Sequence, residues 1–146
     1  MGAGTTRQYD PGQVDISVGN EIITGYAKGT FVTAEKNVDQ ATLVVGSDGE
    51  NTLALSQNRS GRFTFTLQAA SPSNDYLSSL ADALENRTGG KFPVLVKDNN
   101  GTEKASAKVA WIVKRPKMEK SDEPTNREWI IETGNLVLNV GGNVEA

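Results

Sequence analysis

The sequence predicts a mainly β protein with one α-helix, folded as a β-sandwich or a rolled antiparallel sheet. Apolar and polar residues alternate in many short segments, and Gly, Asn and Asp turn signals separate these segments. A single segment, residues 73–88, has its apolar residues at helical spacing. The chain of 146 residues has the length of one ordinary domain. We therefore predict one domain over residues 1–146.

In the first half of the chain, alternation predicts a series of short strands. Val14, Ile16 and Val18 share one face of the first strand, which follows the turn at Asp10-Pro11-Gly12. The run at 41–45 is short and apolar, so we predict that it is buried, and the Asp-Gly pair after it predicts a hairpin. The strands are predicted over residues 14–18, 21–26, 30–36, 41–45, 52–55 and 62–67.

The helix is predicted over residues 73–88. Its apolar residues recur at i, i+3, i+4 and i+7, which places them on one stripe that packs against the sheet. Ser71 or Ser73 can cap its start, and Gly89 can end it. The predicted core face of the helix consists of Leu77, Leu80, Ala81 and Leu84.

Strands resume after the helix and fill the rest of the chain. They are predicted over residues 92–97, 103–114, 128–133 and 136–140. The last two are expected to pair with each other across Gly134-Asn135. Alternation along the 103–114 strand places one apolar set on a single face, so that Trp111, like Trp129, is expected in the core; this set is Ala105, Ala107, Val109, Trp111 and Val113.

The composition disfavours catalysis. The chain has no Cys and no His, which excludes disulfides, thiolate nucleophiles and Cys-ligated zinc and removes the commonest general base. The net charge of −3 gives no basic footprint for nucleic acid over the whole chain. We predict that the protein is not an enzyme and has no catalytic residues.

Two weaker patterns do not change this view. The segment from Asp98 to Glu103 carries oxygen ligands beside a Gly but lacks the length and flanking helices of a calcium loop. Glu128 and Glu132 share a strand face, where a solvated or interface role explains them. We predict no metal and no cofactor. No apolar run reaches the length of a membrane-spanning helix, so we also expect no membrane anchor.

The connection over residues 114–127 is long, polar and charged. It is either a solvated hairpin loop or a protruding arm that pairs with a neighbouring subunit. Apolar residues on the presumed outer face, such as Val44, Ile130 and Val137, favour an assembly. Together with a flexible N-terminal arm at 1–12, this loop supplies the candidate subunit-interface residues: Arg7, Tyr9, Asp10, Lys114, Arg115, Lys117, Glu119, Lys120, Asp122, Glu123 and Arg127.

The order of these features resembles the small tail tube proteins of contractile-tailed bacteriophages, over essentially the whole chain. No single motif is diagnostic; the order and spacing of the set carry the resemblance. The set comprises Tyr9-Asp10-Pro11 with the strand after it, the mid-chain helix, Trp111-Ile112-Val113-Lys114-Arg115-Pro116, the charged loop, Arg127-Glu128-Trp129 and Gly141-Gly142-Asn143.

The resemblance implies a structural virion protein that assembles as hexameric rings, each copy contributing strands to a shared β-barrel, and that stacks into a hollow inner tube. It implies further copies of the chain, the tail sheath protein, and baseplate or tail-tip and tape-measure proteins as partners. Genomic DNA would pass through the lumen without specific binding during ejection into the host. The protein would assemble in the host cytoplasm and reside in the virion, inside the sheath.

Two other classes remain open on the sequence alone. One is a monomeric carbohydrate- or ligand-binding β-sandwich, which would show exposed aromatics in a groove. The other is a secretion-system tube protein of the same fold group, which includes the tubes of type VI secretion and of non-contractile tails.

Overall fold

A computed structural model describes residues 14–142. Within that range the fold is mainly β with one helix and antiparallel sheets, which confirms the predicted class. The elements are β1 Val14–Val18, β2 Glu21–Ile22, β3 Val32–Lys36, β4 Ala41–Val45, β5 Asn51–Leu55, β6 Gly61–Gln68, α1 Ser73–Glu85, β7 Phe92–Asp98, β8 Lys104–Lys114, β9 Asn126–Thr133 and β10 Val137–Asn139.

One large antiparallel sheet contains most of the strands. Its order is β2-β1-β7-β8-β9-β6-β3, with β10 also paired to β8, while β4 and β5 form a separate two-stranded sheet. Strands from both ends of this order contribute to one core, in which Ile16 of β1 and Phe65 of β6 are fully buried. The sheet therefore curves around a single apolar interior, because only one of its faces is predominantly apolar.

A β-bulge in β8 turns the sheet at its centre. Val94 of β7 lies opposite Ala107, but Phe92 lies opposite Ala110, so β8 has one extra residue between these pairs. The buried side chains of β8 consequently change from Ala105 and Ala107 to Ala110 and Ile112. The prediction of one continuous apolar face through Val109, Trp111 and Val113 is therefore wrong beyond Ala107.

The predicted pairing of the last two strands is also wrong. β9 and β10 both pair with β8, one after the other along the same edge, with Thr133 opposite Ala110 and Val137 opposite Ser106. The chain does not reverse at Gly134-Asn135. Leu136 is buried there and donates its N–H to the Arg59 carbonyl at 2.8 Å, which keeps the chain running in one direction.

The helix is shorter than predicted at its end. It spans Ser73–Glu85, and Arg87 takes the left-handed conformation at φ 60°, so the helix ends before Gly89 is reached. At its start, the Ser71 hydroxyl accepts the Ser73 N–H at 3.2 Å and donates to the Thr24 carbonyl at 2.6 Å. On the predicted core face, Leu77 and Ala81 are buried, and Leu80 and Leu84 are partly buried.

The remaining differences lie at strand ends and in one exposed element. The strand expected over 21–26 is limited to Glu21–Ile22, and the run at 41–45 forms β4 but is exposed along its whole length, so the prediction that it is buried is wrong. The predicted N-terminal arm and its candidates Arg7, Tyr9 and Asp10 lie outside the described residues. Within residues 14–142, the only helix is too short and too polar to cross a membrane.

Gly25 provides a direct test of the packing between the β2–β3 connection and the helix start. Its φ is +77°, and an added Cβ would lie 2.5 Å from the Ser71 Cβ. Gly29 has a similar φ of +82° but nothing within 4 Å of an added Cβ, so it is the matched control. We expect Gly29→Ala to reduce the free energy of unfolding by about 1 kcal/mol through backbone strain, and Gly25→Ala by about 3 kcal/mol because a packing clash is added. Urea unfolding measures both; equal losses would contradict the close contact.

Candidate assembly surfaces

The β4–β5 hairpin, hereafter the arm, is an apolar element that no other part of the described chain covers. Every residue of both strands is exposed, and the large apolar side chains Leu43, Val45, Leu53 and Leu55 are 62–69% exposed. Leu43 lies opposite Leu53 and Ala41 opposite Leu55, so these side chains share one face of the hairpin. Such a face in water is typical of a surface that becomes buried against a partner.

The arm is an ordered extension of the large sheet rather than a long irregular loop. Its root continues the β3–β6 pair through the Asn37 N–H, which donates to the Ser60 carbonyl at 3.1 Å, and through the Ser56 N–H, which donates to the Gln40 carbonyl at 2.9 Å. Its tip is a turn in which Gly49 has a φ of +87°. Five paired residues extend it by about 16 Å beyond the sheet.

An apolar groove of about 500 Å³ runs beside the free edge of β3. We call it the edge groove. One wall is the chain from Gly29 to Ala34, and the other is formed by residues of β1, β7, β8, β10 and the segment after β10. Because β3 pairs only with β6, its other edge offers unpaired backbone groups to an additional strand. The apolar side chains in the walls include Val14, Phe31, Val32, Val96, Leu138 and Val140.

A smaller apolar recess, of about 390 Å³, lies on the outside of the sheet along β8 and β10. It contains Trp111 with Val109 and Val137, which are 51% and 60% exposed. The β8 bulge brings Trp111 to this side, so the prediction that it lies in the core is wrong, whereas Trp129 is 2% exposed and belongs to the core. This recess is a second apolar surface available for a contact.

The charged loop at 115–125 connects β8 and β9 and is held against its own subunit by two arginines. The Arg115 guanidinium lies 2.8 Å from the Asp82 carboxylate and 3.1 Å from the Glu85 carboxylate, both on the exposed side of the helix. The hydrogen bond with Asp82, assisted by the charge of Glu85, raises the pKa of Arg115 above its usual value. Arg115 thus ties the start of the loop to the helix.

Arg127 fixes the other end of the loop. Its guanidinium donates to the Glu119 carbonyl at 2.7 Å, to the Thr125 hydroxyl at 2.7 Å and to the Asn126 carbonyl at 3.1 Å. Both arginines were interface candidates, and the structure engages both within one subunit. Met118 in this loop is 86% exposed, and composition and periodicity gave no reason to single it out.

The other candidates on this loop point to solvent. Lys114 ends β8 and is exposed. Lys117 lies 3.4 Å from Glu119 in an exposed ion pair. Lys120, Asp122 and Glu123 are exposed, and the Glu123 N–H donates to the Ser121 hydroxyl at 3.2 Å. Interface roles for these residues stay predictions.

The patterns considered as metal or acid–base sites have structural explanations. The Asp98 carboxylate accepts the Asn100 N–H at 2.9 Å in the turn between β7 and β8. Glu132 lies 3.2 Å from the Arg62 guanidinium and 3.3 Å from the Asn37 amide on the outside of the sheet. Among residues 14–142, no group of three or more acidic side chains is arranged to hold a metal ion.

Comparison with known proteins identifies the family. The family described as Bacteriophage PhiTE tail tube protein matches residues 15–141 of the chain. The chain belongs to this tail tube family. A relative described as Structural protein ORF10 of Pseudomonas phage KPP10 is 32% identical over 149 aligned positions, which cover 97% of this chain and 86% of the relative.

Solved structures share the tube-type fold. The anti-feeding prophage cap, a tube-terminating cap, aligns with a TM-score of 0.64 and 11% identity over 95% of each chain. A chain of the PVC sheath–tube complex, from an extracellular contractile injection system in its extended state, aligns with a TM-score of 0.65 and 13% identity over 90% of this chain and 91% of that one. The sheath/tube terminator of the same system gives a TM-score of 0.63 and 12% identity over 92% and 99% of the two chains.

Membership of the tail tube family confirms the resemblance seen in the sequence. The chain is a structural protein of a phage tail tube and not an enzyme, and a tube protein resides in the virion. The monomeric carbohydrate-binding module is not retained. Sequence reasoning reached the family and predicted the hairpin of the arm, but it placed the first strand of that hairpin in the core and the candidate interface mainly on the charged loop.

Arg127 allows a test of how the tail tube protein shapes its loop. Replacing it with alanine removes the cationic donor to the Glu119 carbonyl, and we expect the loop amides to open about tenfold more often. Hydrogen–deuterium exchange of residues 117–124 measures this opening. Lys117→Ala is the matched control, because it removes only an exposed ion pair and is expected to leave exchange unchanged. Equal exchange in Arg127→Ala and the unaltered chain would show that Arg127 does not order the loop.

Proposed function

We propose that the protein polymerises with copies of itself, as stacked hexameric rings, into the inner tube of a contractile phage tail. The tube is the conduit through which the genome passes into the host. Family membership supports the tube, and the arm is the observation that supports polymerisation. An apolar hairpin of this kind, left in water by its own subunit, acquires a function once another copy covers it.

The arm and the edge groove are both largely apolar and lie at different places on one subunit, although Asp98, Glu103 and Lys104 also line the groove. The arm leaves the sheet beyond the Lys36 end of β3, whereas the groove lines the stretch from Gly29 to Ala34. Because the arm is exposed throughout, it does not fill the groove of its own chain. We propose that it docks in the edge groove of the next copy. A contact between two different surfaces generates rings or helical filaments, and both are present in a stack of rings.

The sheet also has the strands that a wide shared barrel requires. If β3, β6, β9 and the second half of β8 from six copies close into one barrel, it contains about 24 strands. A strand spacing of about 4.8 Å then gives a backbone diameter of about 37 Å for upright strands and about 48 Å at a tilt of about 40°. Barrels of 16–18 strands already enclose an aqueous channel. Closure would pair the free edge of β3 with a strand of a neighbouring copy, and the arm would contact the apolar walls of the groove rather than pair with that edge.

The remaining partners follow from the same assembly. The PVC sheath–tube complex supports a surrounding sheath as a partner, with the tube inside it. We further propose contacts with baseplate or tail-tip proteins and the tape-measure protein at the tube ends, assembly in the host cytoplasm, and passage of DNA without specific binding. The exposed side chains of the 115–125 loop are candidates for ring-to-ring contacts.

The alternative is a tube of a secretion or injection system. Structural neighbours from an extracellular contractile injection system share the fold of this chain, and this common fold is what supports the alternative. The relative that is 32% identical comes from a phage, which favours the phage tail.

Polymerisation is tested with two matched double variants of the arm. Leu43→Ser with Leu53→Ser changes an opposed pair on its apolar face, and Val44→Ser with Thr52→Ser changes the next opposed pair, on the other face. Burying each leucine contributes about 1.5–3 kcal/mol, so we expect the first variant to weaken each subunit contact at least about a hundredfold and to remain monomeric. The second variant is expected to form tubes.

Negative-stain electron microscopy and sedimentation velocity report the outcome for both variants beside the unaltered chain. Six-fold rings or hollow filaments from the unaltered chain and the control, with folded monomers from the leucine variant, are the expected result. Tubes that form normally from the leucine variant would remove the arm from the contact. An unaltered chain that forms no tubes, even on added tail tips, would contradict the proposed function itself.

A further inference from the structure

The apolar recess along β8 and β10, hereafter the Trp111 recess, is already shaped within one subunit. Its volume is about 390 Å³, and its large apolar side chains are Val109, Trp111 and Val137. The buried Thr133 hydroxyl donates to the Val109 carbonyl at 2.7 Å and accepts the Asn135 N–H at 3.3 Å. These bonds fix the wall of the recess where β8 bulges and β9 ends, so the recess is formed before another subunit approaches.

Met118 has the most exposed large apolar side chain of the described chain, at 86%. The subunit holds the loop on both sides of it. The Arg115 guanidinium lies 2.8 Å from the Asp82 carboxylate, and the Arg127 guanidinium donates to the Glu119 carbonyl at 2.7 Å. Because single exposed apolar side chains are common, Met118 becomes significant through its position relative to the Trp111 recess.

Met118 and the Trp111 recess lie at opposite ends of one strand. β9 begins at Asn126, directly after the loop that carries Met118, and ends at Thr133, which lines the recess. We call these the loop end and the recess end of the sheet. The eight residues of β9 separate the two ends by about 24 Å. Two copies placed head to tail along the strand direction therefore bring the loop of one to the recess of the other.

The proposed docking of the arm requires the same arrangement of copies. The arm leaves the sheet at its recess end, because Lys36 pairs with Gly61 and Gly61 pairs with Thr133. The edge groove lines the chain from Gly29 to Ala34, which runs from Lys36 toward the loop end. An arm seated in the groove of the next copy thus places the recess end of one subunit against the loop end of the other.

The two surfaces also match in chemistry. A methionine side chain is unbranched and fits irregular apolar space, and its sulfur makes favourable contacts with the edge of an aromatic ring. Lys108 lines the Trp111 recess, and the exposed Glu119 carboxylate follows Met118 in the loop. Opposite charges therefore flank an apolar contact between Met118 and Trp111.

We infer that Met118 of one copy inserts beside Trp111 in the recess of the next copy and that this contact joins consecutive rings. This inference rests on the proposed function. The contact is separate from the docking of the arm, because it uses neither the arm nor the edge groove. It gives the charged loop a specific partner surface on a second copy of the chain.

Disulfide trapping between copies tests the contact. The chain has no Cys, so Met118→Cys with Val137→Cys introduces one thiol in the loop and one in the recess. Met118→Cys with Lys97→Cys is the matched control, because Lys97 is exposed on β7, two strands away from Val137. A disulfide requires the two Cα atoms to lie within about 7 Å of each other. Met118→Cys with Val109→Cys is a second recess pair in case the first does not assemble.

In tubes, we expect mild oxidation to link the recess variant into a ladder of multimers that a reductant removes, and to leave the control as single chains under denaturing conditions. Free subunits of either variant are expected to stay as single chains, because the loop and the recess of one copy lie at opposite ends of β9. Tubes of a recess variant without a ladder, or the same ladder from the control, overturn the inference and leave the proposed tube intact. An unaltered chain that forms no tubes contradicts the proposed function instead.

Oxidation of Met118 gives a second readout that needs no cysteine. Peroxide transfers one oxygen atom to the sulfur and is reduced to water, which turns the apolar side chain into a polar sulfoxide. Met1 is the other methionine of the chain, so Met118→Leu, which remains apolar but has no sulfur at this position, is the control. Free subunits are treated before assembly and the growth of tubes is followed by light scattering.

We expect oxidation to raise the subunit concentration needed for tube growth about tenfold or more in the unaltered chain, and to leave it unchanged in Met118→Leu. The reason is that a sulfoxide loses the apolar contact with Trp111, whereas a leucine keeps it. Equal growth of the unaltered chain before and after oxidation would show that Met118 is not part of the contact between rings.

Discussion

The β-bulge in β8 is the constraint on which the rest of the structure depends, because it changes which side chains of the strand face the core. A single sheet with one apolar face buries that face only by curving around it, and an eleven-residue strand cannot follow such a curve without a break in its pleat. The bulge between Ala107 and Ala110 supplies the break. As a result β8 pairs with β7 and β10 along its first half and with β9 along its second, and it belongs to both sides of the roll.

The exposed surfaces of the subunit follow from the bend of the sheet at the β8 bulge. Beyond the bulge, Trp111 and Val109 lie outside the core instead of in it, which forms the recess along β10. The roll does not close between β3 and the β1–β7 side, which leaves the edge groove. The sheet exterior is also divided at β8, with glutamates and threonines on one side and lysines on the other. The same bulge that permits a compact core thus determines which side chains lie on the outside of the subunit.

Sequence reasoning predicted correctly the features that depend only on residues close together in the chain. Alternation found β1 and β6, helical spacing found Leu77 and Ala81, and the Asp-Gly pair found the arm's hairpin turn. It failed for features that depend on how a strand pairs with its neighbours. A period of two carries no information about a bulge, so Trp111 was placed inside.

Tertiary contacts also determine two other features that the sequence did not predict correctly. One is whether a short apolar run is buried, and the other is the direction of the chain after a Gly-Asn pair. β4 reads like a core strand, but its partner β5 also presents two leucines to solvent. Alternating apolar residues in both strands of a predicted hairpin were the available signal for an exposed arm. The path of the chain after Gly134-Asn135 is fixed by Leu136, which is buried and donates a hydrogen bond to Arg59. Arg59 lies 77 positions earlier, so the local sequence does not predict this contact.

The charged loop and the arm are two candidate contact surfaces that differ in how firmly their own subunit holds them. Arg115 and Arg127 make their hydrogen bonds within the subunit, so in the proposed ring-to-ring contact the loop is already ordered and loses little conformational entropy. The arm is a two-stranded hairpin, and such hairpins are marginally stable in water on their own. No other part of the described chain covers its apolar side chains, so in the proposed assembly part of the free energy of docking orders the arm. The edge groove is already present in the single subunit, so in the proposed assembly the arm is the side of the contact that has to be ordered on docking.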